Sequence, residues 1–346
     1  MTGRIHKTIT SAQGLAEAEL IDRQDVAALE DVETHYATRL TPQVLRQIKT
    51  KGDPVSLQYL PQARELQHLP DELADPTGDT PHLKVKGIIH RYPDRLLLVP
   101  THTCQVYCRF CFRREKVGKG DGTLSKAELE AAISYIAAHP KVFEVILTGG
   151  DPLVLSDRRL ADIVKRLSAI PHVSVIRLHS RVPLVEPSRI TAELIKALET
   201  RPAIYLAIHV NHPQELTDEV CKGLARLTKA GVPLLSQTVL LKGVNDDAAV
   251  LAELFRKLVA QRVKPYYLHH LDKAPGTSHF RVSIAEGQEI VRQLRGKISG
   301  LAQPTYVIDI PGGYGKVPIT PAWVREIGDG EYEITDPQGN IHRYRD

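Results

Sequence analysis

Three of the four cysteines in this chain fall within eight positions: Cys104, Cys108 and Cys111, in the stretch THTCQVYCRFCFRREKVG. Thiols gathered at C-x3-C-x2-C spacing point to metal or redox chemistry rather than to a disulfide framework. Zinc is a poor match. A structural zinc takes four ligands from separated pairs, and the nearest fourth candidate, His102, lies just ahead of the run. An iron–sulfur cube held by three thiolates leaves one iron open for a small molecule to ligate, which explains a missing fourth cysteine. Cys221 is no replacement, because it lies in a helical pattern and reads as a small buried hydrophobe.

Something must hold that loop in place. Short apolar runs (LLLVPT, VFEVILTGG, VSVIRLHS, AIYLAIHV, PLLSQTVLL and KPYYLHHLD) alternate with amphipathic segments such as SKAELEAAISYIAAH, SDRRLADIVKRLSAI, TDEVCKGLARLTKAG and DDAAVLAELFRKLVAQR. Strand then helix, repeated about six times, implies parallel strands with right-handed crossovers. Six repeats fall short of the eight that close a barrel, so the expected fold is α/β, an open, partial parallel βα barrel. An N-terminal helical region (1–84) precedes the barrel (85–300), and a C-terminal segment (301–346) follows it with PTYVIDIPGGYGK and a hairpin in EYEITDPQGNIHRYR. Within the N-terminal region, TSAQGLAEAEL and TPQVLRQIKTKGD carry apolar residues at helical spacing, and DPTGDTPH breaks the pattern like a linker. The polar strand ends read Cys104 onward, TGGD, HSR, HVNH, SQ and HHLD, at the edge where parallel α/β folds build active sites.

A formal net charge of +4, from 45 basic and 41 acidic residues with no polybasic block, excludes a nucleic-acid footprint. No run approaches the roughly 18 apolar residues of a membrane helix. The start, MTGRIHKTIT, reads without a signal peptide. A cytoplasmic protein in a reducing compartment is the expectation.

C-x3-C-x2-C after a strand of a partial barrel resembles the radical S-adenosylmethionine (SAM) enzymes. In that family SAM chelates the open iron, and one-electron reduction by a donor releases a 5′-deoxyadenosyl radical. LTGGDPL resembles the family's glycine-rich element that contacts SAM. The resemblance places Gly149, Gly150, Asp151, Ser180, Arg181, His209 and Gln237 around that cofactor. The match goes further. HRYPDRLLLVPTHTC, CRFCFRR, IPHVSVIRLHSRVP, HVNHPQELT, GVPLLSQTVLLKGVND and PTYVIDIPGGYGKVP, in unbroken order over roughly residues 85 to 325, are similar to lysine 2,3-aminomutase and its relatives.

That resemblance implies a third cofactor, pyridoxal phosphate, carried on Lys316 of IPGGYGKVP, with Arg91, Tyr92 and Arg95 of HRYPDR at its phosphate. Lys316 suits the role by itself, since flanking glycines let a cofactor sit against the backbone. A phosphate-binding P-loop fails: Ile310 stands where the first glycine belongs and Val317 replaces the Ser/Thr. For the substrate, L-lysine, Arg113 matches the family's carboxylate contact, and Asp272 and Asp309 match the two acids that pair with the ε-ammonium. Read alone, Asp272 is also a possible helix cap and Asp309 a turn residue. The activity implied is conversion of lysine to β-lysine by hydrogen abstraction at the β-carbon, nitrogen migration and hydrogen return, in a homo-oligomer assembled through the N-terminal region. Two features depart from the free-lysine enzymes: Phe110 precedes Cys111 in place of histidine, and the chain stops short of their cysteine-containing tail. Shorter relatives include a branch making β-lysine for attachment to elongation factor P, the alternative reading. A non-catalytic iron–sulfur carrier has no need of TGGD, Lys316 or the aspartate pair.

Overall fold

The structure is a computed structural model describing residues 7–118 and 122–346. An antiparallel pair, β1 (Ile88–Tyr92) and β2 (Arg95–Thr101), opens the main sheet. Six strands follow in chain order, each parallel to the one before: β3 (Glu144–Gly149), β4 (Val175–Ser180), β5 (Ala203–His209), β6 (Leu234–Val239), β7 (Val263–His269) and β8 (Thr305–Ile310). A ninth strand, β9 (Gly315–Pro318), turns back antiparallel on β8. The barrel is nearly closed. Side chains bridge its two edges: the Tyr92 hydroxyl on β1 accepts from the Lys316 amide on β9 at 3.1 Å, and Arg91 lies 3.8 Å from Asp309 on β8.

The expected crossover helices are present at Lys126–Ala137, Asp157–Ser168, Asp218–Lys229 and Ala248–Ala260. Each starts where its sequence offers a cap: Ser125, Ser156, Thr217 and Asp247 accept backbone N–H groups of the first turn. Helices Ala192–Ala197 and Ile284–Leu294 complete the six crossovers. Along the strands the faces alternate. Val145, Leu147, Ile176 and Leu178 belong to the main apolar core together with Leu129, Ile133 and Ile136 of the first crossover helix. Their neighbours Glu144, Thr148, Arg177 and His179 point inward and line a central cavity. The barrel is therefore hollow, with polar side chains set into an apolar wall, not a packed pillar.

Four helices, Ala12–Glu17, Val26–His35, Pro42–Gln47 and Pro54–Tyr59, make up the N-terminal region. They wrap the barrel. Leu40, Val44, Val55 and Tyr59 join the main core, and the Gln47 amide donates to the Leu184 and Glu215 carbonyls at 2.9 and 3.1 Å. DPTGDTPH, expected as a linker, is instead packed structure, with Thr77 and Asp79 buried. Beyond β9, strands β10 (Val324–Gly328), β11 (Glu331–Thr335) and β12 (Ile341–Arg345) form an antiparallel sheet that includes the expected hairpin. Among the described residues no helix is long and apolar enough to cross a membrane.

Candidate active site

One cavity of about 960 Å³ is lined by every residue the sequence singles out: the three cysteines, Gly149, Gly150, Asp151, Ser180, Arg181, His209, Gln237, Arg91, Tyr92, Arg95, Arg113, Asp272, Asp309 and Lys316. Residues up to 225 positions apart thus share a wall, Arg91 to Lys316. The parallel strands deliver the cysteine loop, Gly150, Asp151 and Arg181 to one rim, while Arg91 and Lys316 stand on the antiparallel edge strands β1 and β9.

The cysteine loop leaves β2 and is pinned from below by the N-terminal region. Arg109 N donates to the Gln58 carbonyl at 2.8 Å and Tyr107 N to the Arg39 carbonyl at 3.2 Å. Fully buried Glu65 holds the Arg109 guanidinium at 2.6 Å and also pairs with Arg114. These two arginines flank Cys111, so the loop is clamped on both sides of its last thiol. Gly149 and Gly150 serve the same loop: a Cβ on Gly150 would stand 2.3 Å from the Thr103 carbonyl oxygen, and Gly149 has φ +105°. Their backbone meets residues 101–103 directly, through bonds from Gly150 N to Thr101 O (2.8 Å) and Asp151 N to Thr103 O (2.9 Å). Asp151 ties β3 to β4, accepting from Ser180 Oγ (2.7 Å), Arg181 N (2.7 Å) and Val182 N (3.1 Å).

Burial pushes all three thiols up, Cys111 to about 11, and neighbouring thiols add to the shift at Cys104 and Cys111. Such thiols stay protonated by themselves and release their protons to solvent when a metal binds the sulfur, as metal ligands do. Among the described residues no three His, Cys, Asp or Glu side chains converge as a single ion requires. A cube makes a different demand. Each thiolate takes its own iron corner, so the sulfurs stand apart around the cluster, and this donor set fits it.

Lys316 lies directly opposite Asp309 in the β8–β9 register, and its Nζ pairs with Asp309 Oδ2 and approaches His269 Nδ1 at 3.4 Å. Arg91 reaches the Thr77 carbonyl and Asp79, yet its Nε is buried without a partner. An unpartnered guanidinium N–H beside a lysine that follows a glycine-rich turn fits the phosphate and aldehyde ends of pyridoxal phosphate. Arg95 stacks on Tyr92 with its guanidinium 3.8 Å from the ring centroid, at the rim.

Asp79 escaped sequence reasoning. Its Oδ2 accepts from Arg113 Nε and Nη2 at 3.1 and 2.8 Å, and its Oδ1 lies 3.4 Å from Arg91. Nothing in DPTGDTPH signals this, because both partners are remote in sequence. Three inward histidines were also unremarked as a set. His209 is pushed down to about 4 by burial and then by the Arg181 and Arg113 charges, and His179 and His269 go well below their ordinary value, again chiefly by burial. They line the cavity as neutral rings. Asp272 moves the other way, pushed up to about 7 by burial first and then by Asp309.

Residues 98–255 match the radical SAM superfamily, and residues 291–346 match the family described as Lysine-2,3-aminomutase. The chain is 41% identical over 346 residues to an L-lysine 2,3-aminomutase of Fusobacterium nucleatum, covering 99% of this chain and 81% of the relative. Its identity to the L-lysine 2,3-aminomutase of Clostridium subterminale is 42% over 293 residues, 85% of this chain and 70% of that one. A glutamate 2,3-aminomutase of Clostridioides difficile is 35% identical over 345 residues, with 99% of this chain and 82% of the relative covered.

Proposed function

Because the chain belongs to the lysine 2,3-aminomutase family of radical SAM enzymes, we propose that it moves the α-amino group of L-lysine to the β-carbon, giving β-lysine. It is an isomerase that uses a [4Fe–4S] cluster, SAM and pyridoxal phosphate. With these bound, the reduced cluster and SAM supply a radical that takes a hydrogen atom, and pyridoxal phosphate supplies an electron sink.

The choice of lysine rests on the acid pair. Asp272 and Asp309 face one cavity, and Asp309 helps to raise Asp272 to about 7. Two carboxylates that disfavour each other's charge make a site for a cation, and the ε-ammonium of lysine is one. The nearby histidines stay neutral and do not compete for that place. Glutamate would bring a third carboxylate to the same wall. In this reading Arg113 grips the substrate carboxylate, Asp79 aims Arg113, and the Lys316 amine, which pairs with Asp309 and lies beside the neutral His269 ring, anchors the cofactor. Arg91, Tyr92 and Arg95 hold the cofactor phosphate. Gly149, Gly150, Asp151, Ser180, Arg181, His209 and Gln237 surround SAM. A low-potential one-electron donor, a reducing cytoplasm and the homo-oligomeric assembly implied by the family belong to the same proposal.

The test is an anaerobic assay of the reconstituted protein with SAM, pyridoxal phosphate and either amino acid. β-Lysine should form from lysine, and glutamate should not turn over. Equal turnover of glutamate would overturn the substrate assignment.

A further inference from the structure

Arg181 follows β4, and its side chain is buried between the rings of Tyr59 and Phe110, 4.9 and 5.3 Å from their centroids. Its Nη1 donates to Cys108 Sγ at 3.3 Å. Its Nη2 donates to Glu215 Oε2 at 2.7 Å and to Gln58 Oε1 at 2.6 Å. Glu215 is fully buried, and its other oxygen accepts from the Asn211 and His212 amides at 2.8 and 2.9 Å. The backbone N of Arg181 is held by Asp151 at 2.7 Å. The guanidinium is thus fixed from two sides with one N–H aimed at a sulfur.

We propose that Arg181 sets the reduction potential of the iron–sulfur cluster through Cys108, with Glu215 as the counter-charge that limits the effect. The proposal rests on the three-thiolate cluster but not on the choice of substrate. Reduction adds one electron from a low-potential one-electron donor, taking the cluster from the 2+ to the 1+ state with no bond made or broken. The added negative charge is shared with the ligating sulfurs, so a donor and a cation at one of them favour the reduced form and raise the potential. Burial strengthens the effect, because little water screens it. Glu215 opposes it from the far side of the guanidinium. The hydrogen bond to sulfur is the nearer interaction and decides the net sign.

The experiment is an EPR-monitored redox titration of the full-length reconstituted protein, with dithionite and mediators and without SAM, alongside iron and sulfide determination. Arg181→Gln should shift the ratio of reduced to oxidised cluster at fixed potential about tenfold toward oxidised, which is 59 mV for a one-electron couple. Arg181→Lys, which keeps the charge, should lie between that variant and the native protein. Glu215→Gln should shift the other way. A loss of general stability cannot produce shifts of opposite sign. Should Arg181→Gln take up no cluster, Arg181→Lys and Glu215→Gln decide the matter: native potentials in both, at full iron content, overturn the proposal. If Cys108→Ala retained a complete cluster, the three-thiolate reading would fail instead.

Discussion

Desolvation and then the neighbouring Asp309 raise the Asp272 carboxyl to about 7. A raised carboxyl is neutral below that value and charged above it. Binding an ammonium requires the charged form, so affinity for lysine is present above about pH 7 and is lost as pH falls through it. The kcat/KM for lysine should therefore decline below about pH 7 with a slope approaching one, since that ratio reports the free enzyme. Asp272→Asn should remove this limb and raise KM by one to several orders of magnitude, because a cation left half-compensated in a buried site costs about 2–5 kcal/mol. Steady-state profiles of both forms check this, and an unchanged acid limb in the variant would refute the assignment. Arg113 yields a second expectation. Asp79 takes its Nε/Nη2 edge, while Nη1 lies 3.5 Å from Thr148 Oγ1. Asp79→Asn should raise KM for lysine about tenfold by loosening that aim, as loss of a supporting hydrogen bond to a charged group does. Its effect on binding of lysinamide, which lacks the carboxylate, should be small. Equal losses for lysine and lysinamide would argue against it.

Among the elements, the cysteine loop depends on the N-terminal helices more than its own composition suggests. Glu65 is fully buried and pairs with both Arg109 and Arg114. Glu65→Gln would remove the buried carboxylate that both guanidiniums share, at about 3–5 kcal/mol. Iron and sulfide content should fall in that variant, whereas Cys221→Ala should retain the cluster in full; analysis of reconstituted protein distinguishes them. The cysteine spacing, the amphipathic helices and the alternation of strand with helix were legible because each is a local pattern. Glu65, Asp79 and Glu215 were not, since each acts across 34 or more positions: Glu65 on Arg109, Asp79 on Arg113, Glu215 on Arg181. The glycines of TGGD were legible as a close approach, although the backbone they admit is that of residues 101–103. β8 was hidden for a different reason. Its run, TYVIDI, opens into a glycine-rich turn rather than a crossover helix, so the strand–helix rhythm stops one strand early.

At the scale of the whole molecule, distinct sets of elements build the two proposed cofactor regions around one cavity. The N-terminal helices and the ends of β3 and β4 hold the cysteine loop; β1, the β8–β9 hairpin and residues 75–82 surround Lys316. Gly78 joins the second set to itself. It has φ +63°, and a Cβ there would stand 2.4 Å from Gly313 N and 2.5 Å from the Gly312 carbonyl carbon. Both contacts are backbone, and a left-handed residue with a side chain is itself strained by about 1 kcal/mol. Gly78→Ala must therefore displace either the 75–82 segment or the turn that precedes Lys316. The first carries Asp79 away from Arg91 and Arg113; the second moves the lysine. Either way the pyridoxal phosphate region is damaged while Glu65, Arg109 and the thiols keep their contacts. The expected result is at least tenfold weaker binding of pyridoxal phosphate, read by absorbance titration and by borohydride trapping on Lys316, with iron and sulfide at native levels. Parallel loss of iron and pyridoxal phosphate in this variant would mean that the two regions fold as one unit and that the division of labour among these elements is wrong.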